Sequence, residues 1–328
     1  MNIRVERQTP VMALVTLTAI VVAACVRYAV SPFDNETVSA STLPPLAEWL
    51  SAVSGPYRVW SVAAAGVLTV AAGMIVGQTG SRFGLYPSQT FLSMPLFGFV
   101  ACGIFISHDV LAASLATLLS AMALKYMCRG SLRERDLSAM LYAGLCIGSV
   151  VLLSAAGAVY VAGALLAVFV LSFSARELLV LFAAMVLPVA LCCYAVWALG
   201  GEFATPLMQI REVLFSASGV AAFGSDAVCA LLLCGVVGFT FVCSAVLFMA
   251  NRFMVPLKSR GILIYNLVLS LLSLAMFALP SSTPADFGMA AVPMATIMPV
   301  LFIREGGRLP AIIYLLLAAL FILHLLYY

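Results

Sequence analysis

Charge is what this chain lacks. It has 16 Lys and Arg and 13 Asp and Glu among 328 residues, 9% in all, where a soluble domain carries roughly 25%. So few charged side chains cannot cover the surface of a water-soluble fold of this size. Histidine is scarcer still, at 2, and no Cys/His group has zinc-ligand spacing, so no metal site is expected. The 9 cysteines (25, 102, 128, 146, 192, 193, 229, 234 and 243) fall mostly inside apolar runs and form no CxxC. Their expected role is apolar packing, and the adjacent Cys192 and Cys193 point to different helix faces. There is no basic arm, acidic tail or low-complexity segment, so nucleic acid is not an expected partner. Nor is there a P-loop, a GxGxxG after a strand, an HExxH or a nucleophile elbow, and no cofactor is expected.

Apolar residues are what is present: 64% of the chain, with a mean hydropathy of +1.16. Soluble domains run about 45–50% apolar, so the solvent for most of this surface is lipid. The expected fold class is all-α, a polytopic transmembrane helical bundle forming one integral membrane domain over residues 1–328. Its apolar runs predict about eleven spans, at 11–30, 58–77, 89–106, 110–127, 137–154, 157–172, 178–199, 227–250, 261–279, 287–303 and 309–326. The first run continues past Val22-Ala23-Ala24-Cys25, a loose lipoprotein-like cleavage site, and is read as a span rather than a signal. Two long polar loops, 31–57 and 200–226, each hold a candidate surface helix, at 46–53 and 205–215. Pro95 is expected to kink or break the third span, Pro188 the seventh, and Pro293 and Pro299 the tenth.

The densest charge is the stretch 125–136, KYMCRGSLRERD, with Lys125, Arg129, Arg133 and Arg135 beside Glu134 and Asp136. Read as a loop between the fourth and fifth spans, it belongs on the cytoplasmic side. With the N-terminus inside and the C-terminus outside, 13 of the 16 basic residues fall inside and 3 outside, whereas 5 acids fall inside and 8 outside. A miscounted span would spoil that asymmetry.

No Asp, Glu, Lys or Arg occupies the middle of a span; Asn266 is the strongly polar centre, and His324 lies near a headgroup-level end. A carboxylate relay is therefore not expected. Candidate chemistry lies among the outer acids Asp34, Glu36 and Glu202, with Arg211 as the cation. Transfer from a polyprenyl-phosphate donor needs a carboxylate base and a cation for the phosphate. In its acidic first outer loop the chain resembles the multi-pass glycosyltransferases that use such donors. Charged loops are also simply wet, and that reading outweighs the catalytic one. Lys125, Arg129, Arg133 and Arg135 are candidates for topology and for anionic lipid headgroups, each worth about 1 kcal/mol near an anionic surface. The spacing Gly144–Gly148 suits helix packing, with dimerisation as its other use.

Several short motifs carry a family resemblance. They are the basic stretch, the Gly-rich fifth span with the Tyr160 region, and Ser172-Phe173-Ser174-Ala175-Arg176-Glu177-Leu178 leading into a span with Pro188 and Tyr194. Ala290-Ala291-Val292-Pro293, followed by a basic turn and an apolar final span, completes the set. In these the chain resembles a family of uncharacterised multi-pass inner-membrane proteins of Bacteroidota. The resemblance implies a bacterial inner (cytoplasmic) membrane location and no substrate. The expected function is a non-enzymatic cell-envelope accessory or assembly component, with membrane lipid and other envelope proteins as partners. The alternatives are a polyprenyl-linked glycan glycosyltransferase or polymerase with an outer-face active site, and a flippase-like lipid or glycan transporter.

Overall fold

A computed structural model describes residues 8–30, 43–54, 57–86, 89–101, 110–132, 136–154, 157–215, 227–251, 256–277, 286–304 and 308–327. They form α1 (Pro10–Val30), α2 (Pro45–Ser54), α3 (Arg58–Arg82), α4 (Ser93–Ala101), α5 (Val110–Leu132), α6 (Leu137–Leu153) and α7 (Gly157–Leu171). The second half is α8 (Ala175–Ala198), α9 (Thr205–Phe215), α10 (Ala227–Ala250), α11 (Leu257–Met276), α12 (Phe287–Ile297), α13 (Pro299–Arg304) and α14 (Arg308–Tyr327). No strand occurs among the described residues, and the protein is an all-α, multi-pass membrane bundle.

Among the described residues eight stretches are long and apolar enough to cross a bilayer: α1, α3, α5, α8, α10, α11, α12 joined to α13, and α14. The other three expected spans correspond to α6 and α7, of 17 and 15 residues, and to α4, with 9. Both expected surface helices are present as α2 and α9.

Apolar surface faces both lipid and protein here, and burial separates the two. Of the stretch Phe287–Arg304, 83% is buried, against 22% for the most apolar part of α8. Thus α12 is the axis of the bundle and α8 lies at its edge. The described turns of α4 are buried on every side, and α4 packs on α12, α1 and α3. Glycines on α3 make this approach possible: a Cβ at Gly73 would meet Phe97, and one at Gly77 would meet Met94.

Pro95 and Pro299 behave differently from expectation. Pro95 occupies the first turn of α4, where a backbone N–H has no intrahelical acceptor. It starts the helix and does not kink it. Between α12 and α13, Met298 keeps helical angles (φ −51°, ψ −37°), so the two form nearly one rod. Pro293 has no N–H to give the carbonyl four residues back, that of Met289. Tyr160 of α7 supplies the missing donor, its OH giving a 2.9 Å hydrogen bond to Met289 O. Beyond it, the Tyr86 OH donates to Thr296 O at 2.6 Å, and the Ser244 hydroxyl reaches Met298 O at 3.0 Å. Hydroxyls from three neighbours thus satisfy carbonyls of the central rod, as a water-free interior requires.

The Gly144–Gly148 face of α6 lies directly on the α8 backbone. A Cβ on Gly144 would stand 2.7 Å from the Ala184 Cβ, and one on Gly148 would collide with the Met185 carbonyl. The motif joins helices within one chain, which leaves it no free face for dimerisation.

Candidate functional site

The basic stretch is mostly helix, a correction to its reading as a loop. α5 continues to Leu132, which carries Lys125 and Arg129 on its last turns. Arg129 donates through Nε to Asp136 Oδ2 at 2.9 Å. Asp136 is also the N-cap of α6, accepting from Ala139 N at 3.2 Å and from the Ser138 hydroxyl at 2.6 Å. These bonds, led by that from Ser138, hold its carboxyl below the usual aspartate range. The carboxylate locks the α5–α6 turn by joining both helix ends. Arg133, Glu134 and Arg135 lie outside the described residues.

Lys125, Arg129 and Leu132 recur at i, i+4 and i+7 and so share one face of α5. Opposite them stands the end of α3. It closes in a Schellman motif: Leu85 N donates to Gly80 O at 3.1 Å and Gly84 N to Ser81 O at 3.4 Å. Gly84, at φ +58°, takes the left-handed position this turn requires. The motif fixes Arg82 and Phe83 across from Lys125. A cleft of about 410 Å³ results, lined by Arg82, Phe83, Lys125, Tyr126, Arg129 and Leu132. The first turn of α11 closes one side: Lys258 Nζ lies 3.5 Å from Leu132 O and the Ser259 hydroxyl 3.5 Å from Phe83 O. Among the described residues neither Arg82 nor Lys125 has an acidic partner. The arrangement can hold an anion at the edge of the bundle. Sequence reasoning picked out Lys125 and Arg129 but missed Arg82 and Lys258, whose place in this group depends on tertiary packing.

At the other end of the helices, α2 and α9 pack on each other, with α2 on α5 and α6 and α9 on α8. Gln209 Nε2 donates to Glu48 Oε2 at 3.3 Å between them. The result is a platform with an exposed apolar fringe of Trp49, Leu207, Met208 and Phe215. Glu202 and Arg211 are both exposed on this side and do not line the basic cleft. Asp34 and Glu36 lie outside the described residues. Two polar contacts on this side were not anticipated. Arg58 Nη2 donates to Tyr28 O at 3.0 Å, and the Ser154 hydroxyl donates to the buried Asp286 Oδ1 at 2.9 Å. The latter ties the end of α6 to the start of α12. Among the described residues no group of His, Cys, Asp and Glu could hold a metal ion.

The two helices with an interior proline, α8 and α12, have different neighbours. α8 packs chiefly on α6 and α9, and α12 on α4, α11 and α5. No family model, no curated protein and no solved structure matches the chain.

Proposed function

We propose that the protein is a non-enzymatic envelope component of a bacterial inner membrane, a scaffold that presents binding surfaces for lipid or partner proteins. In this reading eleven segments cross the bilayer, α4, α6 and α7 among them, with the N-terminus and the basic cleft cytoplasmic and the C-terminus outside. The observation that carries it is where the polar groups act. Interior hydroxyls such as Tyr86, Tyr160 and Ser244 bond to carbonyls of the central rod. The groups open to a partner lie at the two ends, in the cleft and on the α2–α9 platform. The excess of Lys and Arg on the cleft side supports the orientation. The resemblance to the Bacteroidota inner-membrane family supports the location.

The test is complementation of a chromosomal deletion by Asp34→Asn, Glu36→Gln and Glu202→Gln variants, scored by envelope integrity. All three should restore it fully. A variant that accumulates normally yet fails to complement would replace the scaffold with the glycosyltransferase.

A further inference from the structure

We propose that the cleft between α3 and α5 is a binding site for a lipid phosphomonoester, an acyl or isoprenoid chain ending in a single phosphate. The inference rests on the scaffold reading and names what one of its surfaces holds. Charge selects the headgroup. Among the described residues Arg82, Lys125 and Arg129 line the cleft with three positive charges, Asp136 offsets one and Lys258 adds one at the rim, a net of +2 in the cleft and +3 with its rim. A phosphomonoester carries about −1.5 to −2 at pH 7, since its second pKa is about 6, whereas a diester carries only one charge. The match is to the monoester.

Geometry agrees with the charge. The Nε edge of Arg129 is engaged by Asp136, and its Nη groups make no other hydrogen bond among the described residues. They remain for bidentate contact with phosphate oxygens. Arg82 faces them from the Schellman turn, and Lys125 adds a point charge. Lys258 stands at the rim beside Leu132, on the first turn of α11. At about 410 Å³ the cleft is larger than one phosphate requires and lies at the low end of small-molecule sites, ~300–1,000 Å³. Phe83, Tyr126 and Leu132 give it an apolar wall where the first carbons after the phosphate would lie. That wall favours a lipid over a free metabolite.

The test is native mass spectrometry of the full chain in a neutral detergent, with dioleoyl phosphatidic acid as probe. Dioleoyl phosphatidylglycerol and dioleoylglycerol serve as the diester and uncharged comparisons. Phosphatidic acid should be retained several-fold more than phosphatidylglycerol, and dioleoylglycerol not at all. The double variant Arg82→Gln/Lys125→Gln should lose tenfold or more of that retention, and Arg304→Gln, outside the cleft, none. If the double variant fails to fold, Lys125→Gln alone should lower retention and Lys125→Arg restore it. Equal retention by wild type and charge-removed variants overturns the proposal, as does equal retention of phosphatidic acid and dioleoylglycerol. Displacement of the lipid by an equal concentration of glycerol 3-phosphate overturns the lipid assignment in favour of a soluble phosphomonoester. Conversion of bound phosphatidic acid to another product would overturn the non-enzymatic reading and leave the cleft in place. Loss of binding alone would overturn the cleft and leave the scaffold.

Discussion

Tyr160 carries one of the clearest arguments at the level of single residues. Its hydroxyl substitutes for the amide hydrogen that Pro293 lacks, so the two residues answer for one carbonyl, that of Met289. Tyr160→Phe should therefore cost about 1 kcal/mol, in the range measured for buried hydrogen bonds between membrane helices. In a Pro293→Ala background the carbonyl regains its helical donor, and the same change should cost markedly less. A double-mutant cycle followed by unfolding in mixed micelles measures the coupling, and purely additive effects would refute the pairing. Asp136 makes a second case, through its charge. Its depressed folded pKa means the carboxylate's contribution is present above the ordinary value of 3.8 and lost as pH falls through the folded value. Asp136→Ala should cost about 1 kcal/mol at neutral pH, as an N-cap does. Its melting temperature should converge on that of the wild type as the pH drops below 3.8.

Among the helices, contact between small residues decides who packs on whom. A Cβ on Gly148 would strike the backbone of Met185, which cannot step aside, whereas one on Gly163 would come 2.6 Å from the movable Leu269 Cδ1. Gly148→Ala should thus destabilise by about 1–3 kcal/mol, the usual penalty of overpacking, and Gly163→Ala by less. Comparing the fraction of monodisperse protein after heating separates the two. The sequence shows plainly that helices exist and roughly where, because runs of apolar residues bounded by Arg, Pro and polar clusters leave few choices. It shows their packing poorly. Lipid and protein interior are equally apolar, so α8 at the edge and α12 at the axis read alike. Pro95 misleads for a related reason: whether a proline kinks a helix or starts it depends on where the helix begins, the least legible feature of an apolar run. The cleft was half legible. Lys125 and Arg129 announce themselves as a local cluster, but Arg82 and Lys258 are separated from them in sequence and join only through folding.

For the molecule as a whole, charge is sorted by end. Arg82, Lys125, Arg129 and Lys258 gather around one cleft, while Glu48, Asp286 and Arg58 make separate hydrogen bonds at the other end, that of the α2–α9 platform. With the orientation proposed above, a cysteine placed at Ser131 in a cysteine-free background should react with a membrane-impermeant maleimide only after the cytoplasmic face is opened. Labelling in intact spheroplasts would invert the map.

The enclosure of α4 also orders events during synthesis. Its described turns are walled in by α12 as well as by its neighbours α1 and α3, and Phe99 packs edge-on between Tyr314 and Phe321 of the last helix at ring distances of 5.8 and 5.7 Å. The ribosome makes those covering residues long after it has made α4. Until they arrive, α1 and α3 wall only part of this helix and the faces turned to α12 and α14 stay uncovered, so the centre of the protein is closed by segments translated long after it. A nascent chain released before α12 should therefore be a target for membrane quality control rather than a smaller working protein.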